Sequence, residues 1–131
     1  MAADPKGRAF MIAAVEKEKF VYTLNRENNK LVISSPREAH KSHTLCLDVV
    51  ALDVGQENAI FICLEVDYGD TDDKNSLVVK GGIRKAIVYY EMDFGMNTVI
   101  RQKEIEVPAS AHMLIAVPNL PDGPGGLIVV C

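Results

Sequence analysis

Apolar residues arrive along this chain in short blocks separated by polar and turn-forming residues. The blocks occupy residues 9–15, 20–24, 31–33, 45–54, 59–66, 86–94, 98–107, 113–117 and 127–130. Between them stand Glu16-Lys17-Glu18-Lys19, residues 25–29, Gly55-Gln56-Glu57-Asn58, Gly95-Met96-Asn97 and the Pro/Gly-rich stretch 118–126. Short apolar runs bounded by Gly, Asn and Pro predict β-strands joined by tight turns. Residues 9–24 invite a helix, since Glu and Lys are good helix formers. Yet Phe20-Val21-Tyr22-Thr23 is β-branched and aromatic, and no stripe of period 3.6 runs through the segment, so a hairpin is predicted. A helical turn is predicted only over 36–43, where Pro36 suits the first helical position. The pattern is all-β, with nine strands.

Polarity changes systematically across 45–107. The runs 45–54 and 59–66 are nearly continuous in apolar residues, which predicts that both faces of each strand are covered. Residues 98–107 instead carry Arg101, Gln102, Lys103, Glu104 and Glu106, the composition of an exposed edge. Inner strands sandwiched and an outer strand facing water is the gradient of a β-propeller blade. On this reading the chain is a fragment of one propeller spanning 1–131, about two blades of antiparallel four-stranded sheet. It divides into a partial blade at 7–35, a complete one at 44–107 and a partial one at 112–131. Uncovered blade faces expose apolar surface, so the chain alone is expected to self-associate or pack loosely.

Composition narrows the function classes. Hydrophobic residues make up 48% of 131, enough for a core, and 24% are charged. The formal net charge of -4 argues against broad binding to a phosphate backbone, which needs clustered Lys and Arg. Cys46, Cys63 and Cys131 are an odd number without close pairing, and the first two sit inside apolar runs where cysteine acts as a small hydrophobe. Neither a secretory leader nor an apolar run of membrane-spanning length is visible, so an intracellular protein without membrane contact is expected.

Candidate chemistry is sparse. His40, His43 and Cys46 have a metal-like spacing but lack the paired motif of a structural zinc site. Glu65, Asp67, Asp70, Asp72 and Asp73 run through Tyr68-Gly69 without the spacing of a calcium loop, and read as a solvated hairpin tip able to dock a basic partner. Gly81-Gly82 and the stretch 121–126 lack the Lys-Ser or Lys-Thr of a phosphate loop. Lys80, Arg84 and Lys85 are a weak signal for nucleic-acid backbone. No serine or cysteine stands in a nucleophile motif. Catalytic residues, metal ligands, cofactors and a small-molecule substrate are therefore not expected. The candidate partner-contact residues are Glu65, Asp67, Tyr68, Asp70, Asp72, Asp73, Arg84 and Lys85.

Several strings coincide, in order and spacing, with one family. They are Asp4-Pro5-Lys6-Gly7-Arg8-Ala9, Val21-Tyr22 with Leu24-Asn25-Arg26, and Ile33-Ser34-Ser35-Pro36 with Glu38-Ala39-His40-Lys41. Asp53-Val54-Gly55 with Glu57-Asn58, Cys63-Leu64-Glu65 with Asp67-Tyr68, and Asp122-Gly123-Pro124 follow. Together they resemble the N-terminal propeller region of the splicing factor 3B subunit 3 family from Asp4 to Cys131, least closely between Gly69 and Lys85. Asn119-Leu120 after Pro118 departs from the glycines of that family. The resemblance implies a nuclear, non-catalytic scaffold whose longer chains hold other splicing factor 3B subunits and associate indirectly with RNA. Related scaffolds of polyadenylation and of DNA-damage-binding ubiquitin ligases are the nearest rival reading. A self-contained small β-barrel that binds a ligand or nucleic acid is the rival from another class.

Overall fold

The computed structural model describes residues 1–14, 18–41, 43–68, 84–119 and 123–131. Among them are eleven strands: β1 (Ala2–Ala3), β2 (Ala9–Ala13), β3 (Lys19–Glu27), β4 (Lys30–Ile33), β5 (Arg37–Glu38), β6 (Thr44–Ala51), β7 (Ala59–Asp67), β8 (Arg84–Asp93), β9 (Thr98–Val107), β10 (Met113–Val117) and β11 (Gly126–Val130). They form three sheets, ordered β1-β2-β3-β4 with β5 also on β3, then β6-β7-β8-β9, then β10-β11. Every pairing is antiparallel.

The turns follow from local chemistry. Asn28 and Asn29 link β3 to β4 with φ of 51° and 64°, the doubly positive pair a two-residue hairpin requires and asparagine tolerates. Between β8 and β9, Asp93 Oδ1 accepts the N–H groups of Gly95 (2.9 Å) and Met96 (3.1 Å), and Asn97 closes the loop at φ 55°.

The central sheet is covered on both faces where the apolar runs are longest. On one face Ala59, Phe61 and Cys63 of β7, with Ala86, Val88, Tyr90 and Met92 of β8, pack against Ala9, Met11 and Val21 of the first sheet. On the other, Ile62, Leu64 and Ile87 pack with Ala111 and Leu114 beside the third sheet. Successive strand residues point to opposite faces, so continuous hydrophobicity here means two cores. Burying a side chain such as Phe61, 0% exposed, contributes about 1.5–3 kcal/mol.

Three expectations need correction. No helical turn forms among the described residues of 36–43. Arg37 and Glu38 pair instead with Val21 and Phe20, because β4 occupies the edge of β3 only over Leu24–Glu27 and leaves the backbone at 20–21 open. The first sheet also begins earlier than residue 7, since Ala2 and Ala3 pair with Met11 and Phe10. Finally, β6 is not covered throughout: Leu45 and Leu47 are 40% and 47% exposed. A bulge between Cys46 and Asp48 turns Cys46 and Val49 to the same core and leaves Leu47 outside. The outer strand β9 carries the predicted exposed pattern.

The glycine-rich turn before β11 seats on the loop after β6. Gly125 has φ +70° and lies so close to the Asp53 carbonyl oxygen that a Cβ could not fit. Asn119 N–H donates to Asp53 Oδ2 at 3.0 Å and Gly125 N–H to the Pro118 carbonyl at 3.2 Å, fixing the third sheet against the second. No described helix is long and apolar enough to cross a membrane.

Candidate functional site

The hairpin joining β7 and β8 holds most of the candidate contact residues. Its strands pair as far as Asp67 with Arg84, and Asp70, Asp72 and Asp73 lie outside the described residues. Around its base the polar groups are engaged within the protein. Arg84 forms an ion pair with Glu104 of the neighbouring strand. Lys85 Nζ donates to the carbonyls of Ala109 (2.6 Å) and Ala111 (2.9 Å), clamping the turn that leads to β10. Tyr68 meets His43 edge to face at 5.9 Å, and its N–H donates to the His43 carbonyl at 3.0 Å. Asp67 is half-buried at the end of β7.

Glu65 is not on a solvated surface. It is 2% exposed, because it is in phase with Phe61 and Cys63 and so faces the core between the first and second sheets. There it anchors a buried cluster. Tyr90 donates its hydroxyl to Glu65 Oε2, and Arg101 Nη1 donates to Glu65 Oε1 at 3.1 Å. Lys19 Nζ, fully buried, approaches Glu65 Oε2 at 3.3 Å without hydrogen-bond alignment, and lies 5.8 Å from the centre of the Tyr90 ring. Burial, followed by the charge and hydrogen bond of Glu65, raises the Tyr90 phenol well above its ordinary value. A second bulge, between Val88 and Tyr90 in the β8–β9 register, turns Arg101 and Glu104 to the same face, where they pair at 3.5 Å. Lys19 from the first sheet, Glu65 and Tyr90 from the middle of the second and Arg101 from its rim thus form one polar bridge between sheets.

The metal-like trio does not converge. His40 Nδ1 accepts the Lys19 N–H at 3.1 Å, His43 edges onto Tyr68, and Cys46 donates its thiol to the Asp48 carbonyl at 3.2 Å. Among the described residues no group of three His, Cys, Asp or Glu is placed to hold a metal ion. The neighbouring Cys63 thiol holds Cys46 below an ordinary thiol, while Cys46 and burial push Cys63 well above one.

The bridge residues Lys19, Tyr90 and Arg101 are absent from the sequence-derived candidates. Lys19 had one legible signal, its alternation with Val21 and Thr23. Arg101 had none, since the bulge that aims it inward is silent in the sequence.

Stacked antiparallel sheets, cores on both faces of the middle one, and buried polar groups engaged in holding sheets together define a β-propeller segment. The chain belongs to the family described as the RSE1/DDB1/CPSF1 first beta-propeller, whose model matches residues 1–131. Among curated relatives, "Pre-mRNA-splicing factor rse1" of Emericella nidulans is 49% identical over 98% of this chain. "Spliceosome-associated protein 130 A" of Arabidopsis thaliana and "Splicing factor 3B subunit 3" of Danio rerio are each 45% identical over 98% of it. The chain spans 11% of the length of each of these relatives.

Proposed function

We propose that this chain is a non-catalytic scaffold segment of a pre-mRNA splicing factor, contributing protein–protein contacts in the nucleus. The observation that carries the reading is 44–49% identity, over 98% of the chain, to relatives named as splicing factors or spliceosome-associated proteins. The engagement of Lys19, Glu65 and Tyr90 in inter-sheet bonding supports it, since these buried titratable groups serve packing and not an open reaction site. The other subunits of the splicing factor 3B complex are the partners, with RNA associated indirectly. Residues 7–35, 44–107 and 112–131 correspond to one partial, one complete and one partial blade, the first extended by β1. Contacts are made by blade edges and by the segment 67–85, through Asp67, Tyr68, Asp70, Asp72, Asp73, Arg84 and Lys85. Three separate sheets with free edges are not a closed barrel, which weighs against the ligand-binding alternative. Names from the splicing branch weigh against a polyadenylation or DNA-damage role. Affinity capture of the tagged chain from nuclear extract, read by mass spectrometry, tests the reading. Recovery of splicing factor 3B subunits is expected, and recovery of polyadenylation or ubiquitin-ligase subunits in their place would overturn it.

A further inference from the structure

A groove opens between the first sheet and the β8–β9 turn. Its wider part, of about 400 Å³, is lined by Thr23, Asn25, Ser34, Arg37, Phe94 and Asn97. A second part, of about 230 Å³, adds Arg8 and Leu24 and shares Asn25 and Phe94, so the two are continuous. The two arginines at its ends are not equivalent. Arg8 is neutralised: it holds Asp4 through two nitrogens at 2.8 and 3.0 Å and also donates to the Glu57 carbonyl. Arg37 has no such partner among the described residues. Among the described residues the one polar contact of its side chain is a long 3.4 Å donation from Nε to Asn97 Oδ1. A guanidinium carries five N–H donors in a planar fork that matches a carboxylate, so Arg37 has most of its capacity unmet.

The lining contains no acidic side chain. Asn25 makes no side-chain hydrogen bond among the described residues. The narrower part takes its apolar lining from Leu24 and Phe94. One free cation, free amides and an adjoining apolar wall suit a peptide carrying a carboxylate beside an aliphatic side chain. A nucleobase suits it less, because Arg8 lies over one face of the Phe94 ring, its Cζ 5.4 Å from the ring centre, and the lining holds no second aromatic ring to stack against. The net charge of -4 also disfavours a polyanion.

We infer that this inter-sheet groove is a docking site for an acidic–aliphatic linear segment of a partner protein, with Arg37 and Asn97 taking the carboxylate and Leu24 and Phe94 the apolar side chain. The inference deepens the scaffold reading by naming a partner's chemistry and rests on it, yet its test needs no splicing subunit and so fails separately.

The probe is a phage-displayed library of random peptides, panned on the whole 131-residue chain. Enrichment of peptides with Asp or Glu next to Leu, Ile or Val is expected. R37E should weaken the selected peptides at least about tenfold, the loss of one charge-assisted pair. N97D leaves Arg37 in place but sets a carboxylate against it, and should weaken them similarly. Circular dichroism of both variants confirms folding, and because Asn97 is exposed at a positive φ that Asp tolerates, N97D keeps the test decisive if R37E misfolds. No enrichment, or peptides that bind both variants as well as the wild type, would overturn the inference. So would binding of oligouridylate with the same dependence on Arg37, which would assign the groove to RNA.

Discussion

Replacing Glu65 by Gln isolates what the buried bridge does. The substitution keeps size and leaves Tyr90 a hydrogen-bond partner, but removes the charge facing Lys19. Arg101 can adapt, since its side chain is 26% exposed and Glu104 lies 3.5 Å away. Lys19 cannot: its side chain is 0% exposed and no other carboxylate among the described residues is paired with it. An ammonium left buried without its counter-charge costs about 3–5 kcal/mol, and the rescue open to Arg101 places E65Q near the lower end. K19M removes the stranded ammonium and leaves Glu65 with Arg101 and Tyr90. It forfeits an ion pair not aligned as a hydrogen bond and a contact with the Tyr90 ring, so K19M should lie within about 1 kcal/mol of wild type. The double variant should then recover most of the E65Q loss, a coupling of about 2–3 kcal/mol. Urea unfolding of the whole chain followed by far-ultraviolet circular dichroism is the assay, there being no tryptophan to follow. An E65Q loss below about 1 kcal/mol, or a double variant as unstable as E65Q, would show that Lys19 does not depend on Glu65.

Further outcomes follow from the same geometry. Because the Tyr90 phenol is raised above 10.0, the folded state keeps a proton there that the unfolded chain releases, so this stabilisation is full below that pH and declines above it, at about 1.4 kcal/mol per pH unit. Unfolding measured above that pH should show a shallower decline in Y90F than in wild type, and identical slopes would refute the assignment. Gly125→Ala combines a positive φ with contact against the Asp53 carbonyl, and should lower the urea midpoint by at least about 1 kcal/mol equivalent, with Gly7→Ala as the strained but uncrowded control. On the outer face of the third sheet Met113, Ile115 and Ile128 are 41%, 42% and 50% exposed. Sedimentation velocity should show mass rising with concentration for wild type and less so for I115K/I128K. A monomer at all concentrations would contradict the open-face account.

Much of the fold was legible because strand phase and burial agree in the middle sheet. The runs at 59–64 and 86–90 are apolar at consecutive positions, and the structure supplies a core for each parity. Phase also held the signal for Glu65, two residues from Cys63 and four from Phe61. Reading it with the aspartates that follow placed it in a loop by composition, where alternation places it inward. Other features were not legible. The bulges that aim Arg101 inward and expose Leu47 change the parity of a strand without changing its composition. Strand β5 depends on the stretch of the β3 edge at 20–21 that β4 leaves open, a pairing partner far from Pro36 in the chain, so Pro36 gave a plausible but wrong local signal. The inter-sheet groove likewise joins residues from Arg8 to Asn97, which no local pattern connects.

The central claim, that this segment acts by binding the other subunits of the splicing factor 3B complex, is tested most directly with purified components. The folded chain is mixed with a recombinant complex of those subunits and passed over a size-exclusion column. Co-elution with the complex, abolished when the chain is first unfolded in urea, is the predicted result. Elution of the chain at its own volume, with circular dichroism confirming an intact β structure, would contradict the account.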